Sequence, residues 1–313
     1  MPVVSVLATN LCGIPIRNPI VAAAGTAGYG PEIAEVVPAT RFGAITTKSI
    51  TPEGRDGNPP WRVTDLPAGM LNAIGLANLG LDRFMAEVVP ELGDLDTVMI
   101  GSIAGHRVED YHEVAAAFAD DAASVLRIVE LNVSCPNTDT GRQFGDDAGL
   151  LHELVSSTVP ALQGRPVLVK LSPGSADPLG LARVALDAGA TGLTLCNTMP
   201  AMAIDPETRR SRIGRMSGGL SGPAVHPMVV RIIHDVRTGL QESHPGTPII
   251  GLGGVSSWSD AAEMLLVGAD AVGVGTGLFI DPRTPAKLVR GLEKWVRRQK
   301  VDSIGDLVGA FES

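Results

Sequence analysis

The sequence predicts an α/β fold, a (β/α)8 TIM barrel, from three observations. Eight short, mostly continuous apolar runs alternate with helical stretches along the 313 residues, as is typical of parallel strands buried on both faces. The phrases DAGATGLTL and LVGADAVGV both end a helix with glycine and lead into a buried strand. Eight such units in about 300 residues fit a barrel better than an open doubly wound sheet. Strand patterns alone leave the open sheet as an alternative.

The elements follow in a regular order. Predicted strands lie at 20–25, 44–49, 97–104, 128–134, 166–172, 191–197, 247–253 and 270–276. Predicted helices lie at 107–122, 147–163, 177–188, 223–239, 257–267 and 285–300. Asp177, Pro178 and Gly189 mark the start and end of the third helix. Residues 3–18 predict a hairpin that turns near Gly13 and plugs the bottom of the barrel. We expect residues 1–313 to form a single domain, since no linker interrupts the pattern.

Two connections are far longer than ordinary βα loops. Residues 50–78 are rich in proline and glycine, and residues 198–222 read MPAMAIDPETRRSRIGRMSGGLSG after Thr198. Loops of this length in a compact domain are commonly functional. Both follow strands, so a barrel would place both over its C-terminal face, where active sites form.

Composition excludes several classes of function. The net charge of −9 argues against a nucleic acid or an anionic membrane surface as the partner. No apolar run approaches the ~18 residues of a membrane span, and the start lacks a basic segment, which predicts a soluble cytoplasmic protein. The cysteines Cys12, Cys135 and Cys196 are widely spaced, and the histidines are scattered. We therefore expect neither disulfides nor a metal site. Cys135 remains a packed small residue, a nucleophile or a base.

Polar side chains cluster at the carboxyl ends of the predicted strands. They are Lys48, Ser49, Asn132, Cys135, Lys170, Ser172, Asn197 and Thr198. Lys170 lies inside the apolar run VLVKLS. Because burying an unpaired ammonium is costly, Lys170 must face an anion or an electron-rich group. A salt bridge to a carboxylate on a neighbouring strand is the alternative.

Glycine turns follow the last two strands, in GLGGV at 251–255 and GVGTG at 273–277. Loops at these positions of a barrel often bind phosphate through backbone N–H groups, although tight turning alone also requires glycine. A phosphate site beside lysines and asparagines, without a metal cluster, predicts a phosphorylated organic cofactor. Flavin mononucleotide (FMN) fits better than pyridoxal phosphate, because no acidic partner for a pyridinium nitrogen is apparent.

As a set, these phrases resemble the dihydroorotate dehydrogenases. The matching phrases are NPIVAAAGTAGYG, TTKSIT, NAIGLANLG, ELNVSCPN, LVKLSP, NTMPAMAID, GGLSGPAVHP, GLGGV and AVGVGTG, in family order from about residue 18 to 277. The resemblance is to the soluble class 1, whose catalytic base is cysteine, and most closely to its class 1B catalytic subunit. It implies oxidation of dihydroorotate to orotate with FMN, in pyrimidine biosynthesis.

The resemblance also implies residue roles. Cys135 would be the base, with Lys48 and Lys170 as further catalytic residues. The substrate would be held by Lys48, Asn72, Ala73, Ile74, Gly75, Leu76, Asn132, Asn197 and Thr198. The flavin would contact Ala24, Gly25, Lys48, Ser49, Ser102, Asn132, Lys170 and Cys196, and its phosphate Gly222, Gly253, Gly254, Gly275 and Thr276. Ser102 replaces a usual asparagine and Ala24 a small hydroxyl residue, so two flavin contacts differ from the family pattern.

The resemblance further implies a homodimer and a route for the electrons. The sequence shows no membrane helix of the quinone-using class and no cysteine set for an iron–sulfur cluster. The phrase NAIGLANLG favours a catalytic subunit that passes electrons to a separate FAD and iron–sulfur subunit and then to NAD⁺, over the type that reduces fumarate. Two other functions stay open: a related flavin barrel that reduces pyrimidine bases, and a non-catalytic flavin-binding barrel.

Overall fold

The protein is described by a computed structural model that covers residues 5–120, 122, 124–134 and 143–312. The strands of these residues are β1 Thr9–Leu11, β2 Ile14–Ile16, β3 Ile20–Ala22, β4 Ala44–Thr46, β5 Val63–Leu66, β6 Gly69–Asn72, β7 Val98–Ile103, β8 Leu126–Asn132, β9 Val167–Leu171, β10 Gly192–Leu195, β11 Met199–Ala201, β12 Ile204–Asp205, β13 Arg210–Ser211, β14 Gly218–Ser221, β15 Ile249–Leu252 and β16 Ala271–Val274. The α-helices are α1 Pro31–Ala34, α2 Leu81–Arg83, α3 Val89–Leu92, α4 Val108–Asp120, α5 Ala148–Ala161, α6 Pro178–Asp187, α7 His226–Leu240, α8 Trp258–Leu266, α9 Thr276–Ile280 and α10 Thr284–Gln299.

Eight parallel strands close into a barrel in the order β3, β4, β7, β8, β9, β10, β15 and β16, and β16 pairs with β3. This confirms the predicted TIM barrel, and each predicted strand overlaps one barrel strand. The six predicted helices overlap α4, α5, α6, α7, α8 and α10. The sequence pattern misses α1 and α9, because helices of four and five residues are too short to show a 3.6-residue period. It also misses α2 and α3, which are the two ends of one continuous helical segment, Leu81–Leu92. The middle of that segment, Phe84–Val88, is a π-helix, so its spacing departs from the α-helical period.

Local side chains fix where the helices begin. Asp177 is the N-cap of α6, and its carboxylate accepts a hydrogen bond from the N–H of Gly180 at 2.8 Å. Asp147 caps α5 in the same way. At α8, Ser257 and Asp260 form a reciprocal capping box. Each cap satisfies N–H groups that the first turn of a helix leaves without intrahelical partners.

The N-terminal segment forms the predicted hairpin. Strands β1 and β2 pair antiparallel around Cys12 and Gly13, whose φ angles of 53° and 81° are those of a type I′ turn. Leu11 and Ile14 pack with Ile128 and other residues near the starts of the barrel strands. The hairpin therefore closes the bottom of the barrel, as predicted.

Both long connections contain short strands, which the sequence pattern did not predict. Their segments pair into one antiparallel sheet in the order β11, β14, β6, β5, with Asn72 opposite Gly219. This small sheet lies over the carboxyl ends of the barrel strands, where it forms one wall of a cavity. No helix within the described ranges is both long and apolar enough to span a membrane.

Candidate active site

A cavity of about 230 Å³ opens between the carboxyl ends of the barrel strands and the small sheet. The barrel and its loops contribute Ala23, Ala24, Gly25, Thr26, Lys170, Cys196, Asn197, Thr198, Gly222, Val225, Leu252, Gly253, Gly254, Gly275, Thr276 and Phe279. The small sheet and the residues next to it contribute Val63, Met70, Asn72, Ile74, Leu220 and Ser221. The structure thus brings most of the predicted flavin and substrate residues to one place.

Some predicted residues lie outside this wall. They are Lys48, Ser49, Ser102, Asn132, Ala73, Gly75 and Leu76. The predicted base, Cys135, lies outside the described residues. Other wall residues were not predicted. Thr26 and Ser221 lie within AAAGTAG and GGLSG, which belong to the phrases that carry the family resemblance. Those phrases could have predicted both residues. Phe279, in an apolar stretch, carried no such signal.

Lys170 is the cationic residue of the wall. It points into the barrel from β9, as Leu168 does two residues earlier, and it is only 5% exposed. Among the described residues no carboxylate forms a salt bridge with it. Glu130, on the neighbouring strand β8, instead accepts a hydrogen bond from the hydroxyl of Thr194 at 2.8 Å. The alternative of a structural salt bridge is therefore wrong, and the ammonium is available to an electron-rich ligand.

A row of hydrogen bonds connects the ends of several barrel strands. The Asn197 amide donates to Asn132 Oδ1 at 3.2 Å and to Ser134 Oγ at 2.8 Å. The Asn132 amide donates in turn to Ser49 Oγ at 3.4 Å, and Ser49 pairs with Ser102 at 2.8 Å. Ser102 is fully buried behind Ser49. Asn132, Ser49 and Ser102 thus hold Asn197 in the orientation that it presents to the cavity.

Lys48 follows β4 and is half-buried. Its backbone N–H donates to the carbonyl of Gly28 at 2.8 Å. Desolvation lowers the pKa of its ammonium, Glu32 opposes this shift, and Arg62 adds to it. The side chain of Lys48 has therefore given up part of its hydration.

The loop after β6 holds an unusual backbone. Leu76 has a φ of 54°, a left-handed conformation that costs a residue with a side chain about 1–3 kcal/mol and occurs often at functional sites. The Asn78 amide stabilises it by donating to the Leu76 carbonyl at 2.7 Å. Asn72, at the start of the loop, donates to the carbonyl of Gly219 at 3.1 Å. The loop that is predicted to bind substrate is therefore held on both sides.

A small recess of about 20 Å³ adjoins the cavity at the predicted phosphate turns. Gly254 has a φ of 72°, and a Cβ added there would lie 2.8 Å from the Gly222 carbonyl oxygen. Thr276 donates its hydroxyl hydrogen to Ser221 Oγ at 2.7 Å. In the described chain, the N–H of Gly254 has no backbone acceptor. A phosphate group fits beside this free N–H and the two hydroxyls.

A sequence model of the family named dihydroorotate dehydrogenase matches residues 6–296. The chain belongs to the dihydroorotate dehydrogenase family. This confirms the family that the sequence phrases predicted, and with it an oxidoreductase of the kind that oxidises dihydroorotate in pyrimidine biosynthesis.

The relatives carry two subclass names. A putative dihydroorotate dehydrogenase A (fumarate) of Solibacter usitatus is 43% identical, and the match covers 98% of each chain. The catalytic subunit of a dihydroorotate dehydrogenase B (NAD(+)) of Pelobacter propionicus is 40% identical, and this match also covers 98% of each chain. The crystal structure of the Eimeria tenella dihydroorotate dehydrogenase with ferulenol has a TM-score of 0.81 and 22% identity, covering 97% of this chain and 88% of that one. It supports the barrel fold.

Proposed function

We propose that the protein oxidises (S)-dihydroorotate to orotate with FMN as its cofactor. The observation that carries this proposal is Lys170, a buried ammonium without a protein partner among the described residues, in the wall of a cavity that continues into a glycine-lined recess. Bound there, FMN would accept the hydride of the substrate. The cation suits an electron-rich ring and the recess a phosphate.

The residues divide by their place in the cavity. Lys170, Ala24, Gly25 and Cys196 would contact the flavin ring, and the turns at Gly222, Gly253, Gly254, Gly275 and Thr276 its phosphate. Asn72, Ile74, Asn197 and Thr198 would contact the substrate. Lys48, Ser49, Ser102, Asn132, Ala73, Gly75 and Leu76 would support these contacts from outside the wall. We assign the base to Cys135, three residues after Asn132 in the sequence.

The decisive experiment is anaerobic reduction of the purified protein. We expect a yellow protein whose colour is bleached by dihydroorotate alone, because the bound flavin takes the electrons. A yellow protein that dihydroorotate leaves unchanged would contradict the proposal and favour a non-catalytic flavin barrel. Reduced protein that is re-oxidised by uracil or thymine, with no response to dihydroorotate, would favour the pyrimidine-base reductase.

We further propose a cytoplasmic, single-domain homodimer that works as the catalytic subunit of a larger complex. The phrase NAIGLANLG supports this, as do the relatives of that name. Phe279 lines the cavity and is 60% exposed, so the cavity wall extends to the surface, where a partner could receive electrons. The partner would carry FAD and an iron–sulfur cluster and reduce NAD⁺.

The electron acceptor gives a direct prediction. Incubated with dihydroorotate, the isolated chain should reduce an artificial dye but neither fumarate nor NAD⁺, because the final transfer needs the partner. The rates of loss of the three acceptors are the measurement. Rapid fumarate reduction by the isolated chain would move the protein to the fumarate-using type and leave the proposed oxidation of dihydroorotate intact.

The recess gives a second prediction, in which a glycine of its turns is replaced by valine. Gly275 is a better position for this substitution than Gly254. At Gly254 an added Cβ would lie 2.7 Å from that of His226, so a substitution would strain the protein itself. At Gly275 the nearest atom is Thr26 Cγ2 at 3.7 Å. The valine of Gly275→Val would face Thr26 and Ala23 of the cavity wall, next to the recess. This variant should therefore purify with little flavin, while its circular dichroism stays that of the wild type.

The matched control is Gly93→Val. Gly93 lies at the end of α3 and, like Gly275, has a negative φ, −64°. A Cβ added at Gly93 would lie 4.0 Å from the nearest atom. This variant should keep its full flavin content. A folded and fully yellow Gly275→Val would show that the second glycine turn has no part in binding phosphate.

A further inference from the structure

His226 lies directly behind the predicted phosphate turn. It is the first residue of α7 and is 8% exposed. Its Nδ1 is 3.1 Å from the carbonyl oxygen of Gly253, and its Nε2 is 3.3 Å from a carboxylate oxygen of Glu263 on α8. The imidazole ring therefore bridges the turn after β15 and the helix that follows it.

The contact with Gly253 has a fixed direction. A carbonyl oxygen only accepts hydrogen bonds, so it is Nδ1 of the ring that donates to the Gly253 carbonyl. The Glu263 carboxylate lies at the other ring nitrogen and orients the ring.

The bond to Gly253 also fixes the direction of a free N–H group. In a trans peptide the C=O and N–H bonds point to opposite sides of the plane. Holding the Gly253 carbonyl toward His226 therefore directs the Gly254 N–H away from α7. That N–H has no backbone acceptor in the described part of the chain, and Gly254 lines both the cavity and the recess. Without this restraint, two consecutive glycines would leave the turn many conformations.

The recess has no positive side chain of its own. Among the described residues that line it there is no lysine or arginine, so a phosphate would rest on backbone N–H groups and hydroxyls. With no cation in its lining, the recess depends on the direction of its backbone N–H groups, and the Gly254 N–H is one of them.

We infer that His226 is a positioning residue that makes this protein select a phosphorylated flavin over riboflavin, its form without phosphate. It does so by fixing the Gly253–Gly254 turn. The inference rests on the proposed function, because it assumes that the phosphate of FMN occupies the recess.

The test compares two flavins on the full-length protein. Dilution of the holoprotein, followed by the fluorescence of released flavin, gives the affinity for FMN. Displacement of bound FMN by riboflavin then gives the affinity for riboflavin. His226→Gln should weaken FMN binding by about 10- to 100-fold, as expected when the hydrogen bond from the Gly254 N–H to the charged phosphate is lost. The same variant should change riboflavin binding by less than about 2-fold.

Two further variants sharpen the result. Glu263→Ala, at a side chain that is 57% exposed, removes the carboxylate that orients the ring and should weaken FMN binding in the same direction, by a smaller factor. His234→Gln removes an exposed histidine of the same helix that contacts Asp235. It should bind both flavins as the wild type does.

Four results would overturn the inference. Unchanged FMN affinity in His226→Gln would show that the ring does not act on the phosphate. Equal loss of both flavins would show a general structural role. A wild type without preference for FMN over riboflavin would refute the inference and leave the oxidation of dihydroorotate standing, whereas a wild type that binds neither flavin would refute the proposed function as well.

Discussion

Replacing Cys135 with alanine is expected to slow dihydroorotate oxidation by about 10²- to 10⁴-fold, the usual contribution of a general base, while the flavin stays bound. The other two cysteines are poor candidates for this role. Burial raises the pKa of the Cys12 thiol to about 12, and Asp270 adds to the shift. Burial also raises the pKa of the Cys196 thiol to about 12, against the opposing charge of Lys170. Both stay protonated near neutral pH, where a thiol of ordinary pKa, about 8.5, is partly ionised.

The measurement is the rate of anaerobic flavin reduction after mixing with dihydroorotate. Cys12→Ala is the matched control, because Cys12 packs in the hairpin at the bottom of the barrel and should leave the rate unchanged. Flavin reduction at nearly the wild-type rate in Cys135→Ala would rule out the assignment of the base and leave the cofactor proposal untouched.

The second large effect is expected at Lys170. Lys170→Met keeps a long apolar chain but removes the cation, and should slow flavin reduction by about 10²- to 10³-fold, the range found when one preorganised electrostatic contact is lost. The ammonium is buried without a protein partner in the described chain, so its charge is directed at whatever fills the cavity. The midpoint potential of the bound flavin should become more negative, because the reduced form loses a stabilising positive charge.

Lys287→Met serves as the control for loss of a lysine. Lys287 is an exposed residue of α10 that forms a salt bridge with Asp281, and its replacement should alter neither the rate nor the potential. If Lys170→Met keeps both values but loses flavin on purification, Lys170 contributes to binding alone, and the proposed role in stabilising charge is wrong.

The sequence by itself predicted eight strand–helix units and the strand ends that carry the polar groups, and it favoured a barrel over an open sheet. The tertiary structure decided the closure, through the pairing of β16 with β3. Strand geometry is a local property, so it places Leu168 and Lys170 on the same face of β9, but only the closed barrel shows that this face is the interior. The hairpin at Cys12 and Gly13 was equally local. The small sheet was not predictable in this way, because its strands have three or four residues and the bond between Asn72 and Gly219 joins positions 147 residues apart.

Only the tertiary structure decided which polar groups have partners. The sequence left Lys170 either paired or free, and the fold resolved this because no carboxylate of the described residues forms a salt bridge with it, although Glu130 lies on the neighbouring strand and bonds to Thr194. His226 shows the same limit, since its two acceptors lie 27 and 37 residues away on different elements. Periodicity places a side chain on one face of its own element. The partner that it meets there depends on how separate elements pack, and this packing is a long-range property of the whole barrel.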